Sequence, residues 1–208
     1  PVRLLESLGF LSGRTLAAHC VHLDDEEIAL LARTGVSVAH NAESNMKLAS
    51  GIAPVPAMIA AGVNVTVGTD GCASNNNLDM ISELSTVAKL HKVSTMDPTA
   101  LDDCTALALA TENAARALKF MGGRIEPGRP ADIITLDGRA PNLVPIYNPV
   151  SHVVYAANGS NVRDVVIDGR IVVKDFTSLT VDEEALVRDG RGGAGARLRR
   201  PAPIDIPI

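Results

Sequence analysis

The alternation of short apolar runs with amphipathic segments limits the folds that the first half of the chain can adopt. Three runs have the length of a strand, TLAAHC (15–20), VSVAHN (36–41) and VNVTVGTDG (63–71). Residues 23–34 carry acids in their first turn and apolar residues on one side, as in an amphipathic helix. Helical spacing recurs in four other segments, residues 2–8, 54–62, 78–93 and 101–120. Strands that alternate with helices form βαβ units, so the sequence predicts an α/β fold with parallel strands.

A different pattern follows in the second half of the chain. Residues 131–137 and 151–157 are short apolar segments that fit the period of two found in strands. Residues 162–175 predict a β-hairpin, because Asp168-Gly169 supplies residues that tolerate the positive φ of a tight turn. We therefore expect a small, mostly antiparallel β module.

These patterns divide the chain into three parts. We expect the α/β part to occupy residues 1–121 and the β module to occupy residues 122–187. Residues 188–208 are rich in Gly, Arg and Pro and have no periodicity, which predicts a disordered tail.

Composition and charge argue against several classes of partner. The 208 residues carry a net charge of −5 and no Lys/Arg-rich face in the body of the chain, so we expect no nucleic-acid partner. The apolar runs are shorter than the roughly 18 residues that a membrane-spanning helix needs, so we expect no membrane partner. Three cysteines without C-x-x-C spacing, and no secretory signal, predict a reduced, cytoplasmic protein.

Each of the three predicted parallel strands ends on a polar side chain, namely His19, His40 and Asp70. Functional groups of parallel α/β folds gather where the carboxyl ends of the strands meet. Two histidines and an aspartate could hold a divalent metal or transfer protons. Singly, however, a strand-end His is usually a structural residue, and an Asp before Gly is usually a turn residue. The pattern by itself leaves both interpretations open.

The other histidines are weaker candidates. His22 forms a C-x-H fragment with Cys20, but it falls beyond the strand and beside a helix cap. His91 lies late in a predicted helix, where a cation suits the helix dipole. His152 begins a predicted strand, where we expect a packing or surface residue.

Two motifs, HNAESNMKLASG (40–51) and GTDGCASNNNLDM (68–80), resemble those of the amidohydrolase superfamily. Within it, the chain is most similar to the branch of S-adenosylhomocysteine/5′-methylthioadenosine deaminases, beside the chlorohydrolases and guanine deaminases. The segment GRIEPGRPADIITLD (123–137) is shared more widely in the superfamily. The resemblance covers about residues 1–187, and Ala42 stands where family members have Pro.

The resemblance implies the C-terminal portion of a TIM-type (β/α)8 barrel, with about three βα units that correspond to strands 6 to 8, and part of a small β-sandwich. It implies one divalent metal, expected to be Zn2+, with Asp70 as a ligand that also accepts a proton from the attacking water. His19 matches a histidine that orients this water. By the same resemblance, Asp70, His19, Asn45 and Ser74 contact the substrate, and Ser44 shapes the pocket.

The function implied by the resemblance is deamination of an adenine nucleoside, in which a metal-activated water attacks C6 of the ring and ammonia leaves. The family carries an H-x-H pair on its first strand and, on its fifth strand, a His with a Glu three residues later. This sequence has no H-x-H pair, and the fifth-strand motif would fall just before Pro1. We therefore expect a C-terminal part of a longer, homo-oligomeric enzyme that is inactive alone. The alternatives are a related ring hydrolase, of the chlorohydrolase or guanine deaminase type, and a fragment without activity.

Overall fold

Three short strands form a parallel sheet in the first half of the chain, as the alternating pattern predicts. The computed structural model describes residues 1–197. Strand β2 (Ser37–His40) lies between β1 (Leu16–Ala18) and β3 (Asn64–Val67) and pairs with both in parallel. The carboxyl ends of all three strands therefore meet at one edge of the sheet.

Helices connect these strands and cover the sheet. In the described part of the chain the helices are α1 (Val2–Ser7), α2 (Asp25–Thr34), α3 (Ala42–Lys47), α4 (Val55–Ala60), α5 (Met80–Thr95), α6 (Asp103–Ala110), α7 (Glu112–Leu118), α8 (Pro149–Tyr155) and α9 (Glu183–Arg197). None of them is both long enough and apolar enough to cross a membrane.

Local sequence signals determine both ends of α2. Asp24 Oδ1 accepts the backbone N–H of Glu27 at 2.9 Å, and the Glu27 carboxylate accepts the N–H of Asp24 in return. This capping box satisfies N–H groups that a helix leaves unpaired at its start. Gly35 ends the helix at φ +73°, a conformation that is accessible because glycine has no Cβ. Between these ends, Ile28 and Leu31 face the core.

The segment 101–120 differs from the sequence prediction of one continuous helix. It forms α6 and α7, and the helix breaks at Thr111, where φ is −120° and ψ is −92°. The Thr66 hydroxyl on β3 donates to the carbonyl of Leu109 at 2.7 Å, and Asn113 donates to another carbonyl of β3 at 2.9 Å. The break therefore lets both helices pack on the same strand. Sequence periodicity missed it because both halves have helical spacing.

A buried histidine pair lies within the core. His40 ends β2 and His91 lies in α5; both are fully buried, and their Nε2 atoms lie 3.2 Å apart. One Nε2 donates to the other, so the accepting ring is neutral. Burial, together with the smaller effects of His91 and His19, lowers the pKa of His40 to about 3, and burial lowers that of His91 to about 4. The interpretation of His91 as a cation on the helix dipole is therefore wrong.

The second half of the chain contains an antiparallel sheet in the order β4 (Ile133–Leu136), β5 (Val162–Ile167), β6 (Arg170–Lys174) and β7 (Thr177–Ser178). The predicted hairpin is confirmed: β5 and β6 pair, and Asp168 and Gly169 turn the chain with φ values of 48° and 75°.

The prediction of a strand at 151–157 is wrong, because these residues belong mostly to α8. Asn148 Oδ1 accepts the N–H groups of Val150 and Ser151 at 3.0 and 3.2 Å, and Pro149 occupies the first helical position. Val154 is fully buried on this helix. The cap and the proline determine the structure here, since a short apolar run alone fits either a strand or a buried helix. His152 consequently lies on a helix.

The tail also begins differently from the sequence prediction. Helix α9 runs through residues 183–197 and so extends into the segment for which the sequence predicts a disordered tail. Asp182 Oδ1 accepts the N–H of Ala185 at 2.9 Å, and two glutamates follow in the first turn, which favours a helix despite the glycines. Residues 198–208, to which the prediction also applied, lie outside the described residues.

The histidine pair makes folding stability depend on pH. Below pH 6.5 the unfolded chain takes up protons on His40 and His91 that the folded chain resists. The free energy of unfolding therefore decreases as the pH is lowered from about 6.5 towards about 4. Burial raises the pKa of the Glu83 carboxyl to about 7, which has the opposite sign and offsets part of this decrease.

We predict that His91→Leu reduces the slope of the unfolding free energy against pH by roughly 1 kcal/mol per pH unit between about pH 5 and 6. The reason is that the unfolded variant no longer takes up a proton at position 91 that the folded chain excludes. Urea denaturation of the chain at several pH values measures this slope. His22→Gln is the control, because the His22 side chain is exposed and should leave the slope unchanged. A wild-type slope in His91→Leu would contradict the assignment of the buried pair.

Candidate active site

The first site residue lies where β1 ends. His19 still donates its backbone N–H to Ala39 O on β2 at 2.9 Å, but its φ of +66° turns the chain away from the sheet. The His19 ring places Nδ1 2.9 Å from Asn45 Oδ1. Because that oxygen only accepts, Nδ1 carries the proton, and in this tautomer Nε2 is the acceptor. The ring is therefore oriented to accept a hydrogen bond at Nε2.

The second element of the site is α3, which starts directly after β2. Ser44 and Asn45 are buried on this helix, 0% and 2% exposed. Asn45 orients His19, while the Ser44 hydroxyl donates to Asp70 Oδ2 at 2.6 Å. One short helix thus orients a side chain from the end of β1 and another from beyond the end of β3.

The third element is the loop after β3. Asp70 has a φ of +61° and an exposed side chain, and its Oδ2 accepts a second hydroxyl, from Ser74, at 2.7 Å. The Ser44 and Ser74 hydroxyls and the Gly71 N–H, with a smaller contribution from His19, lower the pKa of Asp70 to about 2. The carboxylate is therefore ionised at neutral pH.

His19, Ser44, Asn45 and Asp70 line an open cavity of about 340 Å³ at the carboxyl edge of the parallel sheet. Its other lining residues include Val21, Leu48 and Ser50. A larger cavity, of about 550 Å³, lies between α6, α7 and the β module. Its Arg124 and Glu112 form an ion pair at 2.6 Å, and no cluster of proton-transfer groups resembles that of the smaller cavity within the described residues. Chemistry and not size therefore identifies the candidate site.

The structure brings together two of the three strand-end residues. His19 and Asp70 share the cavity, and Asn45 and Ser74 form hydrogen bonds with them. His40 does not take part, because its ring turns into the core and pairs with His91. A polar residue at the end of a strand can face either direction, which the sequence pattern does not specify.

Three residues near the site were missed or given little weight in the sequence. His22 lines the cavity with an exposed ring. Lys47 donates from Nζ to Ala73 O at 2.7 Å and also to Asn76, and so ties α3 to the loop after β3. Glu83 is fully buried behind both segments. The position of His22 two residues beyond Cys20 was a signal, whereas nothing local marked Lys47 or Glu83.

The side chains at this site supply one ligand that is suited to a metal centre. Within the described residues, no group of three His, Cys, Asp or Glu side chains could hold a metal ion. Asp70 nevertheless presents an ionised, exposed carboxylate that two hydroxyls hold through one oxygen, which suits a divalent cation.

The chain belongs to the Amidohydrolase family, whose sequence model matches residues 1–172. The family and the solved structures that the chain resembles imply a TIM-barrel-type fold for its parallel sheet and helices. An adenosine deaminase from Xanthomonas campestris with bound zinc is 42% identical and superposes with a TM-score of 0.92 over 94% of this chain and 45% of that one. Atrazine chlorohydrolase from Arthrobacter aurescens, complexed with zinc, is 30% identical with a TM-score of 0.84, over 92% of this chain and 43% of that one.

Curated relatives agree with this family. A 5-methylthioadenosine/S-adenosylhomocysteine deaminase of Syntrophobacter fumaroxidans is 55% identical over 90% of this chain and 43% of its own length. A 5′-deoxyadenosine deaminase of Methanosarcina acetivorans is 49% identical over 96% of this chain and 46% of its own length. The chain thus spans less than half the length of these relatives.

We predict that Ser44→Ala raises the pKa of Asp70 from about 2 towards the ordinary range of an aspartate, since the largest cause of the shift is removed. Combining it with Ser74→Ala should raise the pKa further. Carbon-13 NMR titration of the Asp70 carboxyl measures both. Ser50→Ala is the matched control, because Ser50 lines the same cavity without donating to Asp70 in the structure. An unchanged pKa in the double variant would contradict the role of the hydroxyls.

Proposed function

We propose that this chain forms part of the active site of a metal-dependent aminohydrolase that deaminates adenine nucleosides of the S-adenosylhomocysteine or 5′-methylthioadenosine type. One observation carries the proposal: Asp70, ionised and held by two serine hydroxyls, shares a cavity with His19, whose proton position Asn45 determines. The names of the relatives support the substrate class.

The three parallel strands are proposed to be strands 6 to 8 of a barrel of eight. Within the described residues β1 pairs only with β2, and β3 pairs only with β2, so both outer strands have an open edge. Leu16 on β1 is 43% exposed, which is unusual for an apolar residue of a barrel strand. The relatives have about as many residues again, and we propose that the remaining strands cover these edges. The β module is then part of a β-sandwich.

Each residue of the site has a distinct chemical task in this proposal. A bound divalent metal, expected to be Zn2+, would supply ionisation of water near neutral pH. Asp70 would be one of the ligands of this metal, and the Asp70 carboxylate would accept a proton from the attacking water. His19 accepts a hydrogen bond at Nε2 and so orients that water towards C6 of the adenine ring. Asn45 and Ser74 complete this side of the substrate pocket.

A related ring hydrolase is the second candidate. The structural similarity to atrazine chlorohydrolase favours it, because hydrolytic dechlorination requires the same water and the same acceptor of its proton. Identity to the nucleoside deaminases is higher, at 55% and 49% against 30%, which favours the first candidate. Ammonia release from 5′-methylthioadenosine, S-adenosylhomocysteine and guanine, measured beside chloride release from atrazine, separates the two.

We predict that Asp70→Asn, in an enzyme that completes the barrel around this chain, lowers kcat by at least about a hundredfold, because the proton acceptor is lost. Ammonia release measures the rate, and elemental analysis measures bound metal, which should also decrease. Asp97→Asn is the control: Asp97 is an exposed carboxylate beyond the far end of α5, and it should leave both quantities unchanged. Intact turnover in Asp70→Asn would overturn the proposed function.

The 208-residue chain alone should hold no stoichiometric zinc and release no ammonia, since its described residues offer no three-ligand cluster. Full activity with one zinc per isolated chain would overturn the proposal that the other ligands of the metal lie outside this chain.

A further inference from the structure

Glu83 is a buried carboxyl group for which the proposed mechanism has no task. It lies in the first turn of α5 and is 0% exposed. Its Oε1 accepts the backbone N–H of Glu43 at 3.1 Å, and its Oε2 accepts Asn75 Nδ2 at 3.1 Å. The two oxygens of one carboxyl group therefore bind two different segments, α3 and the loop after β3.

Both partners of Glu83 are adjacent in sequence to the residues that orient the site. Glu43 precedes Ser44, which donates to Asp70, and Asn45, which orients His19. Asn75 follows Ser74, the second donor to Asp70. A displacement of α3 or of the loop would separate the two hydroxyls that converge on Asp70 Oδ2.

The burial of Glu83 is energetically costly. Among the described residues no Lys, Arg or His forms an ion pair with Glu83, and the charged group that acts on it is Glu43, a second carboxylate, on α3. Burial, and to a lesser degree Glu43, raise the pKa of Glu83 to about 7, while the hydrogen bonds to the carboxylate oppose this shift. An apolar residue of similar size would avoid the desolvation penalty but could not bind two polar segments.

A second connection between the same two segments is exposed. Lys47 joins α3 to the loop through Ala73 O and Asn76 on the solvent side. A flexible, hydrated lysine contributes little to rigidity, whereas a buried hydrogen bond restricts its partners more strongly. Glu83 is therefore the stronger of the two connections.

We propose that Glu83 is a positioning residue that fixes the position of α3 relative to the loop of residues 71–77. Ser44 and Ser74 can then both donate to Asp70 while Asn45 orients His19. This inference rests on the proposed function of Asp70 and His19. Glu83 acts through these residues and does not contact the cavity lined by them.

The first test measures local motion in the 208-residue chain by amide hydrogen exchange. Glu83→Ala should accelerate exchange at Asn45 and Asn75 by about tenfold relative to the amides of β2 and β3, because each segment loses a buried hydrogen bond. Val87→Ala is the matched control, since Val87 is a fully buried residue one turn further along α5. It weakens the packing of the same helix and should not accelerate these two amides selectively.

Two further variants keep the test decisive if Glu83→Ala does not fold. Glu83→Gln should restore wild-type exchange, because its carbonyl can accept from Glu43 while its amide donates to Asn75 Oδ1 once the Asn75 side-chain amide has turned over; that oxygen is buried and has no partner in the present orientation. Asn75→Ala should accelerate exchange in the loop but not at Asn45, because Glu43 keeps its acceptor. If the Asn45 and Asn75 amides each exchange at the same rate in Glu83→Ala, Val87→Ala and the wild-type chain, the inference is overturned.

The second test uses the completed enzyme. Glu83→Ala should lower kcat per folded site by about tenfold or more with little change in KM, because the reacting groups lose their alignment, and Glu83→Gln should recover most of the loss. A purely structural role would reduce only the amount of folded enzyme. If exchange responds as expected while even wild-type enzyme releases no ammonia, the proposed function fails and the positioning role stands. If wild-type enzyme is active and Glu83→Ala has the same kcat, the positioning role fails.

Discussion

The convergence of two serine hydroxyls on Asp70 Oδ2 is the interaction on which the rest of the site depends. Ser44 and Ser74 come from different segments, so the bonds form only if the parallel register of β2 and β3 is correct. A shift of one residue between these strands would turn the side chains to the opposite face of the sheet. The parallel sheet, which has three strands within the described residues, therefore serves mainly to align these side chains.

Two strained backbone positions lie at the same place. His19 and Asp70 both have a positive φ, a conformation that costs a residue with a side chain on the order of 1 kcal/mol or more. His19 follows β1 directly and Asp70 lies in the loop after β3, and the strand pairing continues to both ends: His19 N–H donates to Ala39 O, and Gly68 N–H donates to His40 O. The paired strands compensate for this strain and direct both side chains towards the cavity rather than along the sheet.

Sequence reasoning succeeded where local signals agree with the fold and failed where a distant contact decides. The three parallel strands, α2 and the Asp168-Gly169 hairpin follow from periodicity, caps and turn residues. The break at Thr111 depends on bonds from β3, and the direction of His40 depends on His91, 51 residues away. At 151–157 a local signal existed in Asn148-Pro149, and apolar spacing was given too much weight.

For the site, the sequence pointed to His19 and Asp70 as candidates, whereas Glu83 became visible only in three dimensions.

The two carboxyl groups near the site illustrate how one fold can set opposite acid strengths. Asp70 is exposed and receives hydroxyl hydrogen bonds, which lower its pKa to about 2, whereas burial raises that of Glu83 to about 7. Their surroundings are not independent, because the residues that bind Asp70 are sequence neighbours of those that bind Glu83. An ionised carboxylate facing solvent tolerates movement, since water can replace a lost donor, but a buried carboxyl group does not. The rigidity of the site is therefore best provided by the carboxyl group of Glu83, which is buried behind the site and which water cannot reach.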